Sequence, residues 1–531
     1  MNPNKRSARH ISLLLTSLLA GAGILGAADQ ATVQSQNDEL ARLRQALAAQ
    51  QIQLQSLQQA IEQLQQTLNK SAATPSPASA ASKAAAPAKN PCEAGPDAQT
   101  PAFFRLGGVC IVPVGFMDLT GFWRDKNAAS GIGTNFGSIP YNNTTAGRLS
   151  EFRFSPQNSR IGFRIDGNWN GTHFIGYNEF DFLGVSGGNN LGVTNGAFVP
   201  RVRLYWVDVR KGKFEMLAGQ SWSMLTPNRK GISALPGDLF YTQVLDVNYM
   251  SGLTWTRQPG VRFLYHPTSK VTAGISFENP DQYIGGSGGS PVITLPAALA
   301  SAGGGQFDNT TNVLNTPNLH PDIIAKIAFD PNSKIHFEVA GIERTFKLFN
   351  PNTAQYFTKA GGGALVGLNV ELMKNFRLIT TNFWSDGGGR YLFGEAPDVI
   401  IRADGSISPV HAGGTVDGFE ATVKGNTLLY GYYGGTYIGR NTAFDANGTT
   451  RVGYGFTGSA NSNNRTQQEV TFGFNQTIWR NPRYGAINYM MQYQYQLRNP
   501  WFVAPGAPKG THTNAIYMNI RYTLPGGIPN F

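Results

Sequence analysis

Between residues 110 and 524, apolar and polar positions alternate with a period of two, the repeat of an extended strand whose faces meet different surroundings. In the run 159–167, Ile161, Phe163 and Ile165 point one way and Arg160, Arg164 and Asp166 the other. In 201–209, Val202, Leu204 and Trp206 oppose Arg201, Arg203 and Tyr205. In 334–344, Ile335, Phe337 and Val339 oppose Lys334, His336 and Glu338. Near the end, Ile487, Tyr489, Met491, Tyr493, Tyr495 and Leu497 oppose Asn488, Gln492, Gln496 and Arg498. Finally, Ile516, Met518, Ile520 and Tyr522 oppose Tyr517, Asn519 and Arg521. A soluble β-sandwich also alternates, but it keeps its strands short and buries its apolar face. These runs are long, their polar faces carry Arg and Gln, and aromatic residues gather toward their ends, as in the girdles of a membrane barrel.

The pattern divides into about sixteen strands, those of the second half starting near 334, 361, 376, 426, 451, 466, 484 and 513. Short turns fall at Lys211-Gly212, His266-Pro267-Thr268, Asp330-Pro331-Asn332, Lys374-Asn375 and Asn481-Pro482. Longer loops alternate with them, at 124–157, 184–199, 220–251, 279–319, 345–360 and 386–425. Short turns on one side and long loops on the other predict an all-β transmembrane barrel over 109–531, with both chain ends on the short-turn, periplasmic side of an outer membrane. Arg160, Arg164, Arg201, Arg203 and Arg262 then have to line a wet lumen, because Arg facing lipid at mid-depth costs about 2–4 kcal/mol. His336 shares such a polar face. Arginine rings favour anions in a pore. The alternative is that these side chains pair with Asp166, Glu179, Asp181, Asp208 and Glu338 and only brace the wall. The loop after the fifth strand, 221–246, is the best candidate for folding inward: it carries Asn228, Arg229, Lys230 and Asp238, with Leu235, Leu239 and Phe240 to anchor it. A surface position for it is the alternative.

The first hundred residues follow other rules. Lys5, Arg6 and Arg9 precede an apolar stretch from Ile11 to Leu25 and then the small residues Gly26-Ala27-Ala28, the layout of a secretory signal peptide spanning 1–28. A membrane anchor is disfavoured because the stretch is short and broken by Ser, Thr and Gly. From Val33 the period becomes seven: Val33, Leu40, Leu47, Leu54, Ile61 and Leu68 occupy one core position, and Leu43, Leu57 and Leu64 the other. This predicts an α-helical coiled coil over 29–70, about 50 Å long at ~1.5 Å per residue. The chain has no second heptad segment, so the partner is another copy, and Leu at both core positions leaves the strand number open. Residues 71–108 begin as an Ala/Pro/Ser tether. Beyond the cytoplasm, Cys92 and Cys110 meet an oxidising compartment and are expected to pair near the barrel entrance; two free thiols are the alternative.

Composition narrows the class. Only 14% of residues are charged and 41% hydrophobic, yet the 531-residue chain has 63 Gly, 32 Phe, 20 Tyr and 8 Trp. Charge is sparse for a soluble domain, aromatics are too many for a disordered chain, and no later apolar run suits a membrane helix. No HExxH, CxxC, P-loop or GxSxG occurs, so no catalytic residue, metal site or cofactor is expected. The stretch from Gly453 to Gly458 matches GxGxxG but has no helix after it and reads as barrel wall. The net charge of +11 lacks any nucleic-acid-binding module.

Signal, Gln-rich heptad helix, Ala/Pro linker and sixteen-stranded barrel together resemble the DcaP-like porin family. The segments Pro156-Gln157-Asn158-Ser159-Arg160-Ile161-Gly162-Phe163 and Leu217-Ala218-Gly219-Gln220-Ser221-Trp222-Ser223 are similar to that family's early-strand pattern. The resemblance implies a homotrimeric outer-membrane channel with a periplasmic coiled coil, passing small anionic solutes such as dicarboxylates. One departure concerns the end: Pro525-Gly526-Gly527 precede Phe531, where such barrels close the last strand on an aromatic residue, so either the strand restarts or the assembly signal is altered. A competing reading is a structural envelope protein, its barrel plugged and its coil in contact with peptidoglycan.

Overall fold

A computed structural model describes residues 103–184, 198–239, 243–286, 291–300, 305–309 and 316–525. The signal, the coil and most of the tether, together with Cys92, lie outside the described residues; the end of the expected 71–108 tether is instead a short strand, Phe104–Leu106, that folds back on Val109–Ile111. Sixteen long strands form the wall: β1 (Val109–Arg124), β2 (Arg160–Trp169), β3 (Thr172–Gly184), β4 (Val199–Lys211), β5 (Phe214–Trp222), β6 (Arg257–Thr268), β7 (Val271–Glu278), β8 (Asp322–Asn332), β9 (Ile335–Asn350), β10 (Gln355–Met373), β11 (Phe376–Asp386), β12 (His411–Val423), β13 (Thr427–Ile438), β14 (Asn464–Asn481), β15 (Gly485–Pro500) and β16 (Thr511–Thr523). Neighbours pair antiparallel, and β16 returns to β1 from Ala515↔Arg124 to Thr523↔Phe116, so the sheet has no open edge. Closure lets a sheet sit in hydrocarbon, where an unpaired N–H or C=O has no water to bond.

Strand β1 serves two neighbours by bending. Its first half pairs with β2, and its second half carries β16 on one side and the short segment Glu151–Ser155 on the other. The bend is at Gly115, whose φ of +117° and 2.3 Å approach of a built Cβ to the Arg160 carbonyl oxygen admit only glycine.

The two faces are inverted relative to a soluble fold. Ile161, Ile327 and Ile520 are 49%, 58% and 58% exposed on the outside, while Asp181, Lys326 and Glu338 are fully or almost fully buried within. The alternation read from the sequence holds in β9, β15 and β16. In β4 it fails. Glu179 pairs with Leu204 and Phe180 with Val202, which leaves Arg203 as the extra residue of a β-bulge. Arg203 and Leu204 are consecutive and both buried, so Leu204 and Trp206 face inward with Arg203, while Tyr205 and Val207 face out. The Gln220 amide donates to the Arg203 carbonyl at 3.0 Å, satisfying the oxygen that the bulge frees.

Three other expectations change. The long loop expected at 386–425 contains a wall strand, β12, whose Gly413-Gly414 and Thr415 masked its apolar period. The strand expected near 451 is instead the short Arg451–Tyr454, paired with Asn441–Phe444 outside the main sheet, so the GxGxxG match belongs to a loop hairpin and not to the wall. The count of sixteen survives because the two errors cancel. Finally, the loop expected at 345–360 is mostly strand: β9 and β10 pair without interruption from Ile335↔Val370 to Asn350↔Gln355.

The long loops bury a core of their own. Ile284, Ile293, Leu299, Phe307, Val399 and Ile400 pack with wall residues such as Ile324, Ile342 and Phe346. Arg344, fully buried, ties wall to loops through Asp322 (3.1 Å) and Asp398 (2.9 Å). The outer face makes a direct prediction. Ile327→Arg, midway along β8, should lower barrel stability by about 2–4 kcal/mol, the cost of a lipid-facing arginine at mid-depth. The thermal shift of the compact, heat-modifiable band on gels measures this, and an unchanged transition would mean that Ile327 does not meet lipid.

Candidate functional site

Between β5 and β6 the described residues stay inside the barrel: 223–239 and 243–256 bond to the inner faces of distant strands. At the root, the Met224 N–H donates to Glu278 Oε1 (2.7 Å) and the Gly231 N–H to Asp330 Oδ2 (3.0 Å). The Asn228 N–H donates to both Glu338 oxygens (3.1 and 3.2 Å), and Arg229 forks onto Glu420 of β12 (Nη1–Oε2 2.9 Å). Further on, the Leu245 N–H reaches Gln492 Oε1 of β15 (2.6 Å), and Asp246 accepts from the Tyr517 hydroxyl of β16 (2.9 Å). A loop of this length has no sheet to pair with, so its N–H groups take wall carboxylates and amides as acceptors.

Of the loop residues singled out from the sequence, Asn228 is buried, Arg229 half-buried and Lys230 exposed. The Asp238 carbonyl accepts the Arg229 N–H at 2.8 Å and closes the turn between them. Burial raises the Asp238 carboxyl above the usual carboxylate range, against the pull of Ser233 and Lys230.

The tip of the loop is Ser251-Gly252, and it seats on wall that lacks side chains. A Cβ on Gly434 would meet the Ser251 carbonyl at 2.3 Å, one on Gly414 the Gly252 carbonyl at 2.4 Å, and one on Gly252 the Gly435 carbonyl at 2.3 Å. Two buried carboxylates complete the seat. Glu469 Oε2 accepts the Ser251 N–H (3.1 Å), and Glu395 Oε2 accepts the Ser251 hydroxyl (2.9 Å) and that of Thr436. Glu395 belongs to the loop after β11. Burial without a cation pushes its carboxyl up to about 8, opposed only by the donors Thr436, Ser251 and the Gly252 N–H.

The arginines expected in the lumen are all on the inner face, and they are not equivalent. Arg203 bonds Glu179 (2.8 Å) and Asp181 (2.6 Å), Arg201 bonds Asp181 (2.7 Å), and Arg160 lies 3.5 Å from Glu179. Arg160 and Arg203 both donate to the Tyr249 hydroxyl at 3.3 Å, which brings the inward loop onto the cluster. Burial alone would raise the Tyr249 phenol; Arg160 and Arg203 outweigh it and hold the phenol below its usual value. Arg164 stands apart, forked onto Asp166 at 2.8 Å. Arg262 is buried and donates to the Ser221 hydroxyl and the Trp222 carbonyl, both at 2.6 Å. His336 is across the barrel, between Asp330 (2.9 Å) and Glu338 (3.3 Å), and Glu338 also holds Lys326 at 2.7 Å. Cys110 is fully buried with no free thiol. Sequence reasoning missed Tyr249, Arg257, Glu395, Glu420 and Glu469. Glu395 and Tyr249 sit in loops without periodicity, and Glu420 in the unrecognised β12.

No family model matches this chain, and no curated relative is detectably similar to it. Solved structures are. The outer membrane channel DcaP of Acinetobacter baumannii matches over 80% of this chain and 99% of its own, with a TM-score of 0.56 and 16% identity. The chain has the fold of the DcaP channel. The anion-selective porin of Comamonas acidovorans is more distant, with a TM-score of 0.44 and 12% identity over 78% of this chain and 99% of its own.

The DcaP-like fold and the seat of the loop tip generate two predictions. Gly434→Val places a side chain where the Ser251 carbonyl lies, so the tip should lift. Limited proteolysis should then cut within 243–256 several-fold faster while the barrel band stays heat-modifiable, and an unchanged cutting rate would mean that the seat does not hold the tip. The second concerns pH. Docked Glu395 keeps its proton up to about pH 8, whereas undocked it returns to the ordinary 4.5, so docking is fully favoured below 4.5 and weakens as pH rises through 8. The same proteolysis should therefore accelerate between pH 5 and 9 in the native chain, by a margin that Glu395→Gln reduces.

Proposed function

We propose that this chain is a passive outer-membrane channel for small hydrophilic solutes, with a preference for anions such as organic acids and dicarboxylates. One observation carries the reading: residues 223–239 and 243–256 run inside a closed barrel and bond to its far wall, as a constriction does. The anion preference is supported by the cluster at Tyr249, where Arg160, Arg201, Arg203 and the nearby Arg257 outnumber Glu179 and Asp181. The fold similarity to an outer-membrane channel agrees with passive transport. In this reading Arg160, Arg164, Arg201, Arg203, Arg262 and His336 line the lumen, and Asn228, Arg229, Lys230 and Asp238 belong to the constricting loop. Both ends of the barrel lie on the short-turn side, and in this reading the heptad segment is periplasmic. There it holds copies together, as a homotrimer, and Cys92 pairs with Cys110.

A plugged barrel anchored to peptidoglycan is the second reading, favoured by the apolar core that the long loops build. Ion currents across a planar bilayer under a KCl gradient decide between them. A channel shows steps in groups of three with a reversal potential on the chloride side. A folded, heat-modifiable barrel that stays silent overturns the channel reading.

A further inference from the structure

Most basic side chains on the inner wall are spent on the protein itself. Arg160, Arg164, Arg201 and Arg203 are held by Asp166, Glu179 and Asp181, and Arg521 by Asp118 at 2.9 Å. Among the described residues Arg262 and Arg498 have no carboxylate within ion-pair distance, but carbonyl and hydroxyl or amide oxygens accept their N–H groups. A guanidinium engaged in this way stiffens the wall and offers a passing ion little.

Arg257 differs. It is the first residue of β6, opposite Trp222, and its guanidinium carbon lies 5.4 Å from the centre of the Trp222 ring. The Arg203 guanidinium carbon lies 5.5 Å from the same centre, so one indole carries two cations. Among the described residues the Arg257 side chain makes no hydrogen bond and no ion pair, and its Nη1 is buried without a partner. The nearby acids are already engaged: Asp181 is forked by Arg201 and reached by Arg203, and Glu179 by Arg203 and Arg160. The residue as a whole is half-buried, and of its nitrogens only Nη1 is buried without a partner. A planar fork with free N–H groups, backed by an aromatic ring and surrounded by like charge, matches a carboxylate in charge and in geometry.

We infer that Arg257, and not the paired arginines of the wall, is the selectivity-determining residue, binding the carboxylate group of organic anions that enter the barrel. The inference deepens the channel reading and rests on it for the word selectivity, but the binding site stands without conduction.

Two measurements test it on the full chain folded in detergent. Calorimetric titration with sodium benzoate reads binding directly. Binding is expected in the native protein and in Lys270→Gln, a change at an exposed turn, lost in Arg257→Gln, and weakened several-fold in Arg257→Lys, whose ammonium keeps the charge but loses the fork. Reversal potentials in a KCl gradient read selectivity. Arg257→Gln should lower the chloride-to-potassium permeability ratio several-fold, Arg257→Lys should keep it, and Lys270→Gln should leave it unchanged. Heat-modifiable migration verifies that each variant folds. Native protein that binds benzoate no better than Arg257→Gln overturns the inference, as does a conducting Arg257→Gln channel with native selectivity. A silent native channel overturns the transport reading alone, because the titration still decides the site.

Discussion

Inside a hydrocarbon layer, every backbone N–H and C=O must find its partner within the protein. Everything else in this structure follows from that constraint. It forces the sixteen strands to close, with β16 returning to β1. Closure fixes an inside and an outside, and the strand period then assigns each side chain to one or the other. The outside takes Ile, Phe and Met, and the inside takes what lipid rejects. An Arg-rich inner face is therefore the part of the sequence for which the membrane has no place, and it is available for bracing or for binding.

The interior shows how those two uses divide. Carboxylates and guanidiniums on adjacent strands meet at hydrogen-bond distance and cancel, as in Arg164–Asp166 and Lys326–Glu338. Burial makes such pairs costly to break, though not strongly stabilising relative to apolar packing. The loop between β5 and β6 draws on the same inventory. Its N–H groups occupy Glu278, Asp330, Glu338 and Glu469, so much of the acidity of the inner wall holds the loop in place. What the loop leaves unused on the opposite wall is positive, and Tyr249 sits at the boundary between the two regions.

Small residues position this arrangement as much as charged ones. Gly434 and Gly435 on β13 and Gly414 on the neighbouring β12 clear a seat for the Ser251-Gly252 tip. The Arg203 bulge turns two consecutive side chains inward and places a guanidinium within reach of Glu179, Asp181 and the Trp222 ring. Neither device adds an attractive contact; each removes an obstacle or redirects a side chain.

The sequence alone determined the class, because the transmembrane barrel writes itself as a period of two with lipid-compatible residues on one face. Strands with unbroken alternation, such as β9, β15 and β16, were legible residue by residue, as were the inward placement of Arg160, Arg164, Arg201, Arg203 and Arg262 and the candidacy of the loop after β5. Tertiary structure decided the rest. Strand β12 was hidden because glycines carry no face, and Arg451–Tyr454 imitated a wall strand because a loop hairpin alternates too. The faces of Leu204 and Trp206 turned on one extra residue, which local pattern cannot register, since a bulge exists only relative to a partner strand. Charge pairing was equally out of reach: the sequence supplies the arginines and carboxylates, but which of them meet, and that the Arg257 side chain meets no carboxylate among the described residues, depends on strand register and on where the loop comes to rest.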